Sequence, residues 1–291
     1  MGAAAPAIGI GYRRAIDRWT RDNLGRFDLL EITVDHCILG SEAMHEQIYE
    51  LVGQVPLTAH GIGLSIGTDV PLDLAYLDRV AAIVDRLGAP TYSEHLAFTR
   101  IPGRDLANLL PLPRTEAVAA AIIEKVRIVQ SRVPVPFLLE NIAHVFDWPD
   151  AELGDAEFIS LICRETGAGI LLDVENLYVN GCNHGIDALA YLDALPAGSV
   201  QELHMAGGEI LNEHYVGRTF HADTHNRPVP AGALDLLGHT LARHRPASIV
   251  LERDDRLNVT EEILEDLALI RARVEAHHKV SHVEPALRPA V

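Results

Sequence analysis

The chain has 291 residues, 48% of them hydrophobic and 22% charged, so it can bury a large core, yet no run approaches the roughly 18 apolar residues that a membrane span needs. Its 24 Lys and Arg against 41 Asp and Glu leave a formal net charge of −17, a field that repels polyphosphate and argues against a nucleic-acid partner. Cys37, Cys163 and Cys182 are widely spaced with no CxxC, which argues against a disulfide framework or a thiolate zinc site and leaves core or incidental thiols.

From the N-terminus, MGAAAPAIGIGYRR has no basic region ahead of an apolar stretch, so no secretory signal is read and the cytoplasm is the expected location. Short apolar runs rich in β-branched residues and Leu then alternate with amphipathic stretches, the rhythm of βα units around a parallel sheet. Eight runs are predicted as strands: Ala7–Arg13, Asp28–Val34, Leu57–Ile66, Thr91–Phe98, Phe137–Ile142, Ala168–Asn176, Val200–Gly207 and Ala247–Asp254. Several (ILLDV, IVLER, PFLLE) are apolar on both faces, as a parallel strand between helices and a barrel interior must be. The glycines of GIGYR and HGIGLSIG read as room for the backbone to pass close to substrate or neighbouring strands.

After the third run, PLDLAYLDRVAAIVDRLG predicts a helix with Leu74, Leu77, Val80, Ala81, Val84 and Leu87 on one face and Gly88 just past its C-cap. The last helix opens NVTEEILEDLALI, where Thr260 can cap the amide of Glu262 or Ile263 and Ile263, Leu264, Leu267 and Ile270 form the buried stripe. His277–Val291, with two prolines, three histidines and little periodicity, reads as a tail. The expected fold is therefore α/β, one (β/α)₈ TIM barrel over residues 1–276 with a tail over 277–291.

Fifteen histidines are more than an ordinary chain of this length carries, and imidazole is the commonest metal ligand. From the third run onward each predicted strand ends in His, Glu or Asp: His60 in LTAHG, His95 in YSEHL, Glu140 in LLEN, Asp173 in LLDVEN, His204 in ELHMAG and Glu252 in VLERD. In a barrel these strand ends converge on one mouth. Asp223 and His225 in ADTHN add a D-x-H pair, which an extended segment would place on one face. So many carboxylates in one buried mouth carry a heavy penalty unless cations neutralise them, and mixed His and carboxylate sets suit Zn, Mn or Fe. His184 in NHG and Glu94 beside His95 read either as residues that orient a ligand or as exposed ones, and His36, His144, His214 and His221 as surface. Glu31 in LLEIT lines the pocket or pairs with a neighbouring Arg.

HGIGLSIG, SEHLAF, LLEN, GILLDVENLYVN followed by NHGID, ELHMAGG, DTHNRPVP and LERDD resemble, in order and spacing from about residue 8 to residue 275, the DUF692 family. These are multinuclear non-heme iron-dependent oxidases related to the methanobactin biosynthesis enzyme, within the wider class of barrels that resemble xylose isomerase and endonuclease IV. The resemblance implies that His60, His95, Glu140, Asp173, Asn176, His204, Asp223, His225 and Glu252 bind two or three irons. It implies a mixed-valent Fe(II)/Fe(III) pair that binds a peptide cysteine thiolate and activates O₂ as co-substrate, modifying a ribosomally made precursor peptide. A small separate partner protein would present the leader peptide. Glu31, Asp173 and His184 are the candidate catalytic side chains. Asn176 stands where the nuclease has a histidine, which favours iron chemistry over phosphodiester hydrolysis. Two segments depart from the family pattern: LLEITVDHC, where Asp35 and His36 alter the substrate side of the pocket, and DVEN in place of DVNN, which sets Glu175 beside the ligand candidates. A divalent-metal isomerase or phosphodiesterase is the alternative reading, and a non-catalytic binding protein a third.

Overall fold

In the structure, a computed structural model that describes residues 5–212, 217 and 219–283, eight parallel strands close into a barrel. They are β1 (Ala7–Gly11), β2 (Leu30–Thr33), β3 (Leu57–Gly61), β4 (Tyr92–His95), β5 (Phe137–Glu140), β6 (Gly169–Asp173), β7 (Val200–Met205) and β8 (Ser248–Leu251). They neighbour one another in chain order, and β8 closes on β1. The (β/α)₈ barrel expected from the βα rhythm is the fold.

Each strand stops earlier than its apolar run. The run to Asn176 ends as a strand at Asp173, whose carboxylate accepts from the Asn176 amide at 2.7 Å and so caps the helix Val174–His184. The run to Phe98 ends at His95, and Phe98–Ile101 instead pairs antiparallel with Arg104–Leu110 in a hairpin. A second hairpin joins Glu209–Leu211 to Phe220–Ala222. Neither hairpin was expected: Arg104–Leu110 is half-exposed to exposed with no apolar alternation, and the second pair is only three residues on each side.

The register places the polar strand ends in one layer. His60 lies beside Ser93, His95 beside Glu140, and Asp173 beside His204. Below that layer, two residues before Glu140, Asp173 and Glu252 on the same strand faces, Leu138, Leu171 and Val250 are fully buried in the barrel.

The helix Leu74–Leu87 starts where Asp73 accepts from the Tyr76 amide at 3.0 Å and ends at Gly88, whose φ of 63° suits glycine. Its buried face is Tyr76, Leu77, Val80, Ile83, Val84 and Leu87. Leu74, expected on that face, is 42% exposed, because Tyr76 takes the inward position in the first turn; Ala81 is half-buried. The last helix, Thr260–Val283, buries Ile263, Leu267 and Ile270 and includes Thr260 as its first residue. It runs past the expected boundary through His277 and His278, since no proline interrupts the sequence before Pro285; residues 284–291 of the expected tail lie outside the described residues. No helix among the described residues is long and apolar enough to cross a membrane. Cys37 and Cys163 are buried and Cys182 is exposed.

Gly9 in β1 runs so close to the preceding segment of β2 that a methyl group there would overlap the Leu29 carbonyl oxygen. Gly9→Ala is therefore expected to destabilise the fold by roughly 1–3 kcal/mol, read as a drop of several degrees in Tm. An unchanged Tm would mean that the β1–β2 wall yields at no cost.

Candidate metal centre

Glu140, the last residue of β5, sits at the middle of the layer. Its Oε2 lies 3.2 Å from His95 Nε2 and 3.5 Å from His60 Nε2, while Oε1 lies 3.2 Å from His204 Nδ1. His204 Nδ1 also meets Glu252 Oε2 at 3.1 Å. Among the described residues, four groups have ligand atoms close enough to share an ion: Glu31, His60 and His204; His60, His95 and Glu140; Glu140, Asp173, His204 and Glu252; and Glu175, Asp223 and His225. The first three share members and form one continuous volume.

The outward ring nitrogens of three histidines are held by other groups, which aims the inward ones. His60 Nδ1 meets Ser93 Oγ at 2.9 Å, His204 Nε2 meets Glu31 Oε2 at 2.9 Å, and His225 Nδ1 meets Asp254 Oδ2 at 3.0 Å. Arg13 reaches Glu252 at 3.1 Å and Asp254 at 2.6 Å, tying together the two carboxylates that follow β8. Asn141 donates to the Asp173 carbonyl at 2.9 Å and accepts the Asp173 amide at 2.9 Å, which anchors the end of β6. Ser93, Arg13, Asn141 and Asp254 were not singled out as site residues in the sequence. The signals were their places in SEHLAF, GIGYR, LLEN and LERDD, beside the candidate ligands.

Burial at this depth disfavours charge, and the neighbours decide each outcome. Burial pushes the Asp173 carboxyl up to about 8, with Glu140 and Asp223 adding to it. Burial acts the same way on Glu140, but His95, His204 and His60 outweigh it and hold that carboxyl down at about 2. Burial works against a charged His204, yet Glu31, Glu252 and Glu140 raise it well above the ordinary imidazole range. Asp173 Oδ2, Asn176 Oδ1 and Glu31 Oε1 are buried without a hydrogen-bond partner, an arrangement that costs free energy unless an ion or donor satisfies it. Imidazole and carboxylate donors with no thiolate fit Fe, Mn or Zn.

Of the expected site residues, His60, His95, Glu140, Asp173, His204 and Glu252 come together with Glu31 around the mouth. Asp223 and His225 meet at 2.6 Å, although their segment is not extended: His225 has a φ of 47°, and that turn brings the two side chains face to face. Asn176 is buried, its side chain donating to the Asn141 carbonyl at 3.2 Å. His184 is half-buried with Nε2 on the His144 carbonyl at 2.7 Å, outside all four groups. His144 is not on the surface; it is buried with Nε2 3.4 Å from Asp155, which also pairs with Arg114. Glu94 is likewise buried, accepting the Leu64 amide at 2.8 Å. Glu31 pairs with His204 rather than with an arginine. His36 is exposed and His221 half-buried, while His214 lies outside the described residues.

A cleft of about 570 Å³ opens above the layer, lined by Ile62, Leu109, Val145 and Phe220 together with Arg13 and His36. Leu109 comes from the first hairpin and Phe220 from the second, so the two hairpins wall the cleft.

Glu31→Gln keeps the shape but weakens the grip on the His204 ring. A fall of about 10–100-fold in metal affinity is expected, measured by chelator competition. Affinity equal to the parent protein would assign Glu31 no part in orienting His204.

The structure resembles a xylose isomerase domain protein from Planctomyces limnophilus, with a TM-score of 0.63 and 12% identity over 95% of this chain and 100% of the other. It also resembles an L-ribulose 3-epimerase, with a TM-score of 0.59 and 16% identity over 98% and 100% of the two chains. These likenesses concern the fold. In sequence, the chain is 33% identical over 278 residues to a UPF0276 protein of Rhizorhabdus wittichii, covering 95% of this chain and 98% of the relative. A UPF0276 protein of Pseudomonas aeruginosa is 34% identical over 268 residues, 90% of each chain. A family model described as RiPP precursor modification enzyme MbnB/TglH/ChrH matches residues 7–275, the whole of the barrel from β1 into the last helix, and the chain belongs to that family.

Proposed function

We propose that this chain is a multinuclear iron-dependent oxidase that uses O₂ to modify a cysteine of a ribosomally synthesised precursor peptide, with a small separate protein presenting the leader. The observation that carries the reading is Glu140, whose two oxygens face different imidazoles and so can bridge two ions. When bound, an iron pair supplies the electrons and open coordination that O₂ and a thiolate require.

The chain's own residues do the rest. His60, His95, Glu140, Asp173, Asn176, His204, Asp223, His225 and Glu252 are the proposed holding set. Glu31 fixes the tautomer of His204 by accepting a hydrogen bond from Nε2–H, leaving Nδ1 toward Glu140 and Glu252. Arg13 balances Glu252 and Asp254 at the floor of the cleft. Ile62, Leu109, Val145 and Phe220 exclude water around an entering peptide side chain. His184 acts only indirectly, by steadying the His144 segment that forms one wall.

The test is metal analysis of protein purified without added metal under anaerobic conditions, with Mössbauer spectroscopy on an iron-57 sample. Two or more irons per chain with a mixed-valent component is the expected result. Zinc or manganese alone, with iron unable to replace them, would overturn the oxidase reading in favour of an isomerase or hydrolase.

A further inference from the structure

We propose that the cleft above the metal layer continues into a side groove that receives the stretch of substrate peptide next to the modified residue, and that Arg79 and Arg100 bind a carboxylate carried by that stretch. The inference rests on the peptide-modifying reading above and adds to it where the neighbouring residues lie and which charge they carry.

A second cavity, of about 700 Å³, adjoins the cleft: Thr33, His36, Ile62, Asn108 and Leu109 line both. Three elements contribute to it, the helix Val34–Leu39, the start of the helix Leu74–Leu87 and the first hairpin. Ligand pockets commonly measure about 300–1,000 Å³, so this one has room for a few residues of an extended chain. Its wall is held in place by Asp35, which accepts the amides of Ile62 and Gly63 at 2.8 and 3.3 Å and the Tyr76 hydroxyl at 2.8 Å. A Cβ on Gly63 would overlap Asp35 Oδ1, so the loop after β3 takes this close seat only with glycine there. Asp35 and His36 stand in LLEITVDHC, so the wall is built where the chain leaves the family pattern.

The charges that line the groove are not equally committed. Asp35 has the three donors just named, Asp73 accepts the Tyr76 amide at 3.0 Å, and Asp105 accepts the Ala107 amide at 2.8 Å. Arg79 is exposed and Arg100 half-buried, and among the described residues neither guanidinium has an ion-pair or hydrogen-bond partner; Arg100 stands only over the Tyr76 ring, 5.9 Å from its centre. In a chain with a net charge of −17, these two are the groups in the groove left to meet an incoming anion, and the guanidinium fork matches a carboxylate in geometry. The three aspartates would repel that anion without the arginines, so the arginines decide which sign of charge the groove accepts.

The test measures, by fluorescence anisotropy, the binding of dye-labelled peptides to the full chain loaded anaerobically with Fe(II). Each peptide carries a cysteine, a spacer of one to four glycines, then Glu, Gln or Lys, and ends in an amide; a Gln peptide with a free C-terminal carboxylate tells the chain end from an acidic side chain. At the best spacing a carboxylate-bearing peptide should bind roughly three- to tenfold more tightly than the amidated Gln peptide, and the Lys peptide more weakly still. Arg79→Glu should erase that preference and Arg100→Glu should turn it toward the Lys peptide, with iron content and circular dichroism matching the parent. Equal binding of the Glu, Gln and Lys peptides by the iron-loaded parent, or an unchanged preference in both variants, overturns the groove while the iron-dependent reading stands. A parent that holds no iron overturns that reading instead, and its own preference among the peptides still decides the groove. Binding of none of the peptides overturns the groove.

Discussion

Replacing Glu140 with glutamine is expected to strip the central ions and reduce peptide modification to background, the largest effect of any single substitution in the barrel. Glutamine preserves the size of the side chain but presents an amide nitrogen where one carboxylate oxygen meets His95 and His60 or the other meets His204. It also removes the charge that opposes three imidazoles. Loss of a group that merely orients a ligand costs about 10–100-fold in metal affinity, so loss of the bridging ligand should exceed a hundredfold. The measurement is metal per chain after gel filtration, alongside turnover of a cognate peptide. Glu140→Gln protein with full metal content would remove the bridge from the mechanism, whatever its activity.

The second large effect is a pH dependence that is steepest in the metal-free protein. Burial raises Asp173 to about 8, Glu94 to about 8 and Glu202 to about 7, far above an ordinary carboxylate near 4. Between those limits the folded state keeps protons that the unfolded chain has released, so the free energy of unfolding falls as pH rises. His204, held well above the ordinary imidazole range, acts in the same direction: its contribution is full below about 6.5 and fades as pH climbs through its folded value. Glu140, held at about 2, has the opposite sign but acts only in acid, where stability is lost as pH drops below the ordinary carboxylate value. Burial lowers His95 and His144, which act in the opposite direction below about 6.5, so the Tm of chelator-treated protein should fall between about pH 6.5 and pH 8.5. Ions that displace the protons of Asp173 and His204 should flatten that curve and release protons on binding. Melting curves with and without metal across this range make the comparison; parallel curves would show that those residues do not exchange protons for metal.

The barrel was legible because its strands are apolar on both faces and its helices on one, patterns that local sequence carries directly. ILLDV and PFLLE became β6 and β5, and the alternation around them permitted one closed architecture. The ligand candidates were legible for the same reason: a His, Glu or Asp that interrupts a buried run at its end has nowhere to go except the mouth.

What the order of residues could not disclose depends on contacts between segments far apart in the chain. Glu31 and His204 are 173 residues apart, Arg13 and Glu252 239, and each pair meets only because β2 and β7, or β1 and β8, bring their ends to one layer. The hairpins escaped notice because neither carries enough apolar alternation to announce itself, yet together they wall the cleft. His144 looked like a loop residue and is buried, because Asp155, eleven residues on, folds back against it with Arg114. The D-x-H pair converges through a backbone turn at His225, not through strand alternation. Amino-acid pattern alone determined the barrel and the kinds of donor at its mouth, since periodicity and burial are local properties. Only the tertiary structure decided which nitrogen of each histidine faces inward and which carboxylates meet which imidazoles, since those follow from strand register and from partners that the chain brings together only by closing on itself.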